Sequence, residues 1–431
     1  MQHTITARRM AVAYLVVLGW SCPGVLAQAP AQAIVPPAST AVALFGLDDL
    51  LQIARRDSLL LQTARAQALG ARAGIESARA YPNPEIEFLA GSNRPRVAGA
   101  SSGSGSALAF SQRIENPALR VARANAATAV AQGAEIGVWV VENNLVAEVK
   151  TRFFETLRRE EELDAAREDL VLTGQIRDRI LVRTRTGEGA RFDLIRAETE
   201  VAIAARQVER GQARIAEAKA QLRQSVGASL PENYALIGDF YRRTPQADYA
   251  ALKDAVLVAN PEIKRALAEL GRSERQVEVE RQSVLPAVSL RLVQEREPEA
   301  NALRGGVFLG VPLWDRRRGP IDEARAQAIR ARSDSELRRF ALVQEFEATW
   351  QAYQSALKSV QALEGGILQQ ARAVVDIAEA AFRFGERGIL EYLDARRQFR
   401  LIRADLIGAR FELYAAKSEI ERLAARDIKG E

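Results

Sequence analysis

Histidine, cysteine and methionine are nearly missing from this chain. The one histidine is His3, the one cysteine is Cys22, and the two methionines are Met1 and Met10, all within the first 22 residues. Those residues read as an export leader. Arg8 and Arg9 give a positive start, and Met10 to Trp20 form an apolar stretch too short to span a bilayer. Val25 to Ala27, or Ala27 to Ala29, offer the small residues of a cleavage site. Acylation of Cys22 would want a Leu and a small residue upstream, where "GWSC" places Gly19 and Trp20, so cleavage near Ala27 without a lipid is expected. Loss of residues 1–27 removes every imidazole, thiolate and thioether. Thiol nucleophiles, histidine bases, disulfides and zinc sites of the usual kind are then excluded. The expectation is a protein that is not an enzyme and has no cofactor and no metal site of its own. No apolar run of 18 or more residues follows the leader, so no transmembrane helix is expected beyond it.

Aromatic residues are also scarce, at 6% of the 431 residues, while 27% are charged. Ala, Leu, Arg, Glu and Gln dominate, as in long or coiled-coil helices. The formal charge of +5 falls to +3 without the leader, which carries two arginines and no acid. The basic residues alternate with acids and form no run with interleaved aromatics. That pattern suits solvated helix faces and argues against nucleic-acid binding.

What the chain does have, it writes twice. After an Ala/Pro-rich linker over 28–43, "LDDLLQIARRDS" from Leu47 is echoed by "LKDAVLVANPEI" from Leu252. "AYPNPEIEFLAGS" from Ala80 is echoed by "VLPAVSLRLVQE" from Val284, and "ALAFSQRIENPALRVAR" from Ala107 by "VFLGVPLWDRRRGPIDEAR" from Val307. Each copy closes on the same phrase, "RTRTGEGARFDLIRAETEVAI" from Arg183 and "FRFGERGILEYLDARRQFRLI" from Phe382. The repeats span 44–227 and 250–427, joined by a linker over 228–249 and followed by a short tail at 428–431.

Within each repeat the pattern predicts helices around a pair of strands. Asn116-Pro117 and Gly319-Pro320 start helices that no proline interrupts until about Thr184 and Phe384. Some 65 residues at 1.5 Å each reach roughly 100 Å, more than a globular core needs. The last helix of the second repeat carries apolar residues at alternating steps of three and four: Tyr392, Ala395, Phe399, Ile402, Leu406, Ala409, Leu413, Ala416, Ile420 and Leu423. Leu194, Ala197, Val201, Ala204, Val208, Gly211, Ile215, Ala218, Leu222 and Ser225 match them in the first. This period places one narrow seam against a partner helix. The expected strands are Glu85 to Asn93, Ser106 to Ile114, Ala287 to Glu295 and Gly305 to Trp314. Ile86, Phe88 and Ala90 alternate with Glu87, and Val288, Leu290 and Leu292 with Arg291, as if one face met lipid and the other water. Four strands cannot close a membrane barrel, whereas three copies would supply twelve.

This twofold order of helix, strand pair, long helix, tip and helix resembles the TolC/CzcC-like outer-membrane efflux family over about residues 44 to 427. Leu285-Pro286 before a strand, "GVPLWDRRRGPIDEARA" from Gly310 and "FGERGILEYLDA" from Phe384 carry the likeness. The resemblance implies a mainly α fold with a small membrane β-barrel, internally duplicated, with four strands per chain. In a homotrimer its long coiled-coil helices would form a periplasmic α-barrel. It implies an outer-membrane location and a passive exit duct fed by a periplasmic adaptor and an inner-membrane RND-type pump. "PLWDRRRG" and "NPEIEF" look closest to the heavy-metal cation (CzcC/CusC-like) branch; a duct for drugs or organic solutes is the alternative of the same fold. Gly187 and Gly385 would turn the helical hairpins at the periplasmic tip. Glu391 and Asp394 match the two acids that ring the pore in such proteins. Arg387 and Asp193 match a basic residue and an acid that latch the closed mouth. The plain alternative is that all four are solvated surface charges. A periplasmic coiled-coil adaptor is the alternative of another class, and two hairpins with few strands argue against it.

Overall fold

The computed structural model describes residues 43–93, 99, 102–242 and 247–428, which belong to one compact unit. The expected leader with Cys22, the expected linker up to residue 42, part of the first strand-to-strand loop, residues 243–246 and residues 429–431 lie outside the described residues. The first half runs β1 (Ala43–Phe45), α1 (Leu47–Asp57), α2 (Leu59–Arg79), β2 (Glu85–Asn93), β3 (Gly103–Ile114), α3 (Pro117–Arg185) and α4 (Arg191–Val226). After β4 (Tyr234–Leu236) the second half repeats that order. It has α5 (Tyr249–Ala259), α6 (Pro261–Gln282), β5 (Val288–Arg296), β6 (Asn301–Leu309), α7 (Arg318–Ala362), α8 (Leu368–Arg383) and α9 (Ile389–Ala424).

The helix boundaries follow local chemistry. Asn116 caps α3 by accepting from the Ala118 N–H at 3.0 Å, and Pro117 fills a position where no N–H is needed. Asn260 separates α5 from α6. Its Oδ1 accepts from the Glu262 N–H at 2.8 Å while its Nδ2 donates to the Leu423 carbonyl at 2.8 Å, so one buried side chain caps α6 and ties it to α9. Ser58 makes the equivalent break between α1 and α2. Two expectations about the second long helix need correction. It begins at Arg318, two residues before Pro320, after a left-handed Arg317. It is also interrupted by a π-helical turn over Leu363–Ile367, where Gly365 and Gly366 remove side chains that would hold the regular helix.

The sheet order is β2-β3-β5-β6, all antiparallel, so the two halves meet at β3 and β5 while β2 and β6 are the edges. β2 spans the residues expected for it, and β3 starts three residues early, at Gly103. β6 runs over Asn301–Leu309 rather than Gly305 to Trp314. A tight turn in which the Glu297 N–H donates to the Ala300 carbonyl at 2.8 Å starts the pairing at once, and Pro312 cannot extend it. The sheet has the four strands expected, and β1 and β4 add a separate parallel pair, too short for its alternation to be read from sequence.

The register gathers most of the large apolar side chains on one face and most of the charged ones on the other. Ile86, Phe88, Leu108, Phe110, Leu290, Leu292, Leu303 and Val307 share one face. Glu85, Glu87, Arg113, Arg291, Glu295 and Arg304 share the other, where Arg291 meets Glu87 at 3.0 Å and Arg304 meets Glu295 at 2.7 Å. A sheet with one apolar and one charged face matches lipid outside and water within.

Three apolar clusters hold the helices. One belongs mainly to the second half (Leu252, Phe346, Tyr353, Leu413, Ile420) and one to the first (Leu50, Leu61, Phe153, Leu222, Tyr234). Ile407 and Tyr414 of α9 enter the latter, so α9 serves both halves. The third lies at the helical tips. Eight of the ten residues expected for the α9 seam are buried, but only Ala197, Ala204, Ala218 and Leu222 of the α4 seam. The reason is packing: α9 lies against α3, α7 and α8, whereas α4 lies mainly on α3. Among the described residues, no helix is long and apolar enough to cross a membrane.

Candidate functional site: the helical tips

Both long hairpins reverse by the same device. At the first, Gly187 has φ 83°, the Glu188 N–H donates to the Arg183 carbonyl at 2.9 Å and the Gly187 N–H to the Thr184 carbonyl at 3.3 Å. At the second, Gly385 has φ 77°, the Glu386 N–H donates to Ala381 at 2.9 Å and the Gly385 N–H to Phe382 at 3.2 Å. This crossed pair of bonds is a Schellman termination, and its left-handed residue is glycine because a Cβ there meets the following carbonyl.

Asp193 and Glu391 each sit in the first turn of the returning helix, at equivalent places in α4 and α9. The partial positive charge of a helix start suits an acid there. Asp193 is half-buried, whereas Glu391 and Asp394 are exposed and stand three residues apart on α9. Arg387, in the second turn, reaches Glu391 at the start of α9, Nη1 to Oε2 at 3.1 Å. Glu391 and Asp394 are thus exposed acids near the second turn, and Arg387 already has a local partner in Glu391.

Behind the turns the hairpins grip one another. Ile176, Ile180, Ala197, Phe382, Ile389 and Tyr392 are buried together, with the Phe382 and Tyr392 rings stacked at 5.9 Å. Arg179 of α3 meets Glu379 of α8 at 3.0 Å. That hydrogen bond holds the Glu379 carboxyl below its ordinary value, against the smaller opposing effect of burial. Burial pushes the Tyr392 hydroxyl up, and the nearby Glu379 charge adds to it.

Deeper still lies a row of cations that sequence reading missed. Arg396, Arg403, Arg410 and Lys417 recur every seven residues on α9, beside the seam. Arg396 and Arg400 both bind Asp169 of α3 at 2.7 Å, Arg403 binds Glu168, and Arg410 binds Glu364 of the π-helical turn and the Phe240 carbonyl. A basic residue flanking an apolar seam at heptad spacing is the available sequence signal.

A doubled helical chain with a one-faced apolar sheet at one end of its 69-residue helix and glycine-turned hairpins at the other has the form of a membrane duct. Comparison with known proteins gives its family. Residues 50–228 and 252–426 each match the family described as outer membrane efflux protein, and the chain belongs to that family. It is 25% identical over 382 residues to the cobalt-zinc-cadmium resistance protein CzcC of Cupriavidus metallidurans, with 88% of this chain and 90% of CzcC covered. Crystal structures of CusC superpose with a TM-score of 0.77 at 17% identity, covering 88% of this chain and 91% of that one. The open Neisseria gonorrhoeae MtrE outer membrane channel superposes with a TM-score of 0.73 at 16% identity, covering 89% of each chain. The protein is thus a TolC-like outer-membrane efflux channel, a non-enzymatic transport duct.

Proposed function

We propose that this chain is the exit duct of a tripartite heavy-metal cation efflux system. It would work as a homotrimer fed by a periplasmic adaptor and an inner-membrane RND-type pump. The observation that carries the substrate reading is the likeness to CzcC along 88% of the chain. The trimer follows from the sheet. Edges β2 and β6 expose unpaired backbone groups that hydrocarbon does not tolerate, and three copies close a twelve-stranded barrel. In the trimer Glu391 and Asp394 form acidic rings at the periplasmic mouth. Asp193 and Arg387 bridge neighbouring hairpins and hold it narrow. Converging carboxylates draw cations into the pore and repel anions. No histidine, cysteine or methionine follows residue 22, so a soft metal finds no strong ligand of those types and passes as a loosely held cation.

The test is a disruption of this protein's gene in its host, with sensitivity measured to cobalt, zinc and cadmium salts and to a panel of drugs and organic solutes. Loss of metal tolerance, restored by the intact gene, is expected. Unchanged metal tolerance with new sensitivity to organic compounds would move the channel to the drug-efflux reading.

A further inference from the structure

We propose that the strand-to-helix junction at Trp314, Arg316 and Arg318 binds the headgroup of an anionic phospholipid. The inference rests on the reading that the four-stranded sheet lies in the membrane. β2 and β5 start, and β3 and β6 end, at the same end of that sheet. Past Leu309 the chain continues through Val311, Leu313 and Trp314, all exposed, and Trp314 is 93% exposed, more than any other large apolar side chain among the described residues. Tyr81, 66% exposed, precedes β2 at this end, with the Arg120 guanidinium 4.0 Å from its ring centre. Tyrosine and tryptophan at the rim of an apolar band sit at headgroup level, their rings in the acyl boundary and their polar atoms in the wet layer.

The three arginines that follow divide their work. Arg317 turns inward in a left-handed conformation. Its N–H donates to Asp315 Oδ1 at 2.8 Å, and its guanidinium binds Glu280 of α6 at 2.6 Å. Arg316 and Arg318, on either side, are exposed, and neither has an ion-pair or hydrogen-bond partner among the described residues. Glu280 pairs with the Arg317 guanidinium, and Asp315, which accepts the Arg317 backbone N–H, is outnumbered by the two exposed arginines. Two uncommitted guanidinium groups beside an exposed indole, continuous with a lipid-facing sheet, complement a phosphodiester with a net negative headgroup. Planar guanidinium suits phosphate oxygens in paired hydrogen bonds.

The full-length protein in detergent is titrated with phosphatidylglycerol and with phosphatidylcholine of the same acyl chains, and bound lipid is counted by native mass spectrometry. Wild type should favour phosphatidylglycerol by at least about fivefold, the order of one arginine near a charged surface. Arg316→Gln with Arg318→Gln should bring the two lipids close to parity at unchanged oligomeric state. In vesicles, a variant keeping Trp314 as its one tryptophan should be quenched by brominated acyl chains. Equal lipid preference in wild type and double variant overturns the site. So does Trp314 emission that ignores bromination and shifts only on subunit association, which assigns the patch to contact between copies. A protein that inserts and conducts without preferring phosphatidylglycerol overturns this inference alone. A protein that does not insert overturns the channel reading as well.

Discussion

Arg387 and Glu391 form an ion pair across one turn at the head of α9, 3.1 Å apart and 65% and 52% exposed. A pair this open is worth about 0–1 kcal/mol. Arg387 therefore exchanges Glu391 for another acid at little cost, and Asp193 of a neighbouring hairpin is the acid the latch reading assigns. Three such bridges related by symmetry would favour a closed mouth that a docking adaptor could still open. Arg387→Ala is expected to raise single-channel conductance in planar bilayers, and Asp193→Asn to do the same, with folding intact. Unchanged conductance in both would reduce these residues to ordinary surface charges.

Selectivity is expected to come from the tips rather than the barrel. On the charged face of the sheet Glu85, Glu87 and Glu295 are balanced by Arg113, Arg291 and Arg304. At the tips Arg387 pairs with Glu391, and Asp394, three residues on, is exposed without an ion pair among the described residues. Glu391→Gln with Asp394→Asn should lower the cation-over-anion permeability ratio, most visibly at low salt, where screening is weakest. A ratio that does not move would place the filter elsewhere.

The parts of this molecule that were readable in sequence are those set by local pattern. β2 was readable because Ile86 and Phe88 flank Glu87. The α9 seam was readable because Tyr392 through Leu423 keep one period over about nine turns. What was hidden depends on distant partners or very short segments. β1 and β4 are three residues each and are stabilised by one another across nearly two hundred residues. The π-helical turn was masked by a sequence free of proline, although Gly365-Gly366 marks a weak point. Asp169 looks like one acid among many on a charged helix. Its importance comes from Arg396 and Arg400, 227 and 231 residues further on.

Acid should loosen the tips through Glu379. Its carboxyl is held below the ordinary 4.5 chiefly by the hydrogen bond from Arg179, with burial opposing. The folded form thus binds its proton less readily than the unfolded chain. Its stabilisation is fully present above pH 4.5 and is lost as pH falls through the lower folded value. Glu379→Gln should melt below wild type at neutral pH, and the gap should close as pH falls below 4.5. A gap that stays constant with pH would mean that the pair contributes by packing and not by charge.

Asp169 holds a buried charge balance in the helical part. It stands only 12% exposed between Arg396, 9% exposed, and Arg400, 36% exposed, and accepts from both at 2.7 Å. Two cations on one buried carboxylate lock α3 to α9, the contact through which the two halves share a core. Removing the carboxylate leaves Arg396 buried with its charge uncompensated, a change that typically costs about 3–5 kcal/mol. Arg400 relieves part of this because its guanidinium can turn to water. Asp169→Ala should therefore destabilise by roughly 3 kcal/mol, read as a lower melting temperature of the detergent-solubilised oligomer. Asp169→Asn keeps one acceptor oxygen and should lose less. Arg400→Gln should lose least, since it leaves a one-to-one pair in place. The order Asp169→Ala, Asp169→Asn, Arg400→Gln from worst to mildest follows from burial of the charge; equal losses across the three would mean that shape alone holds this seam.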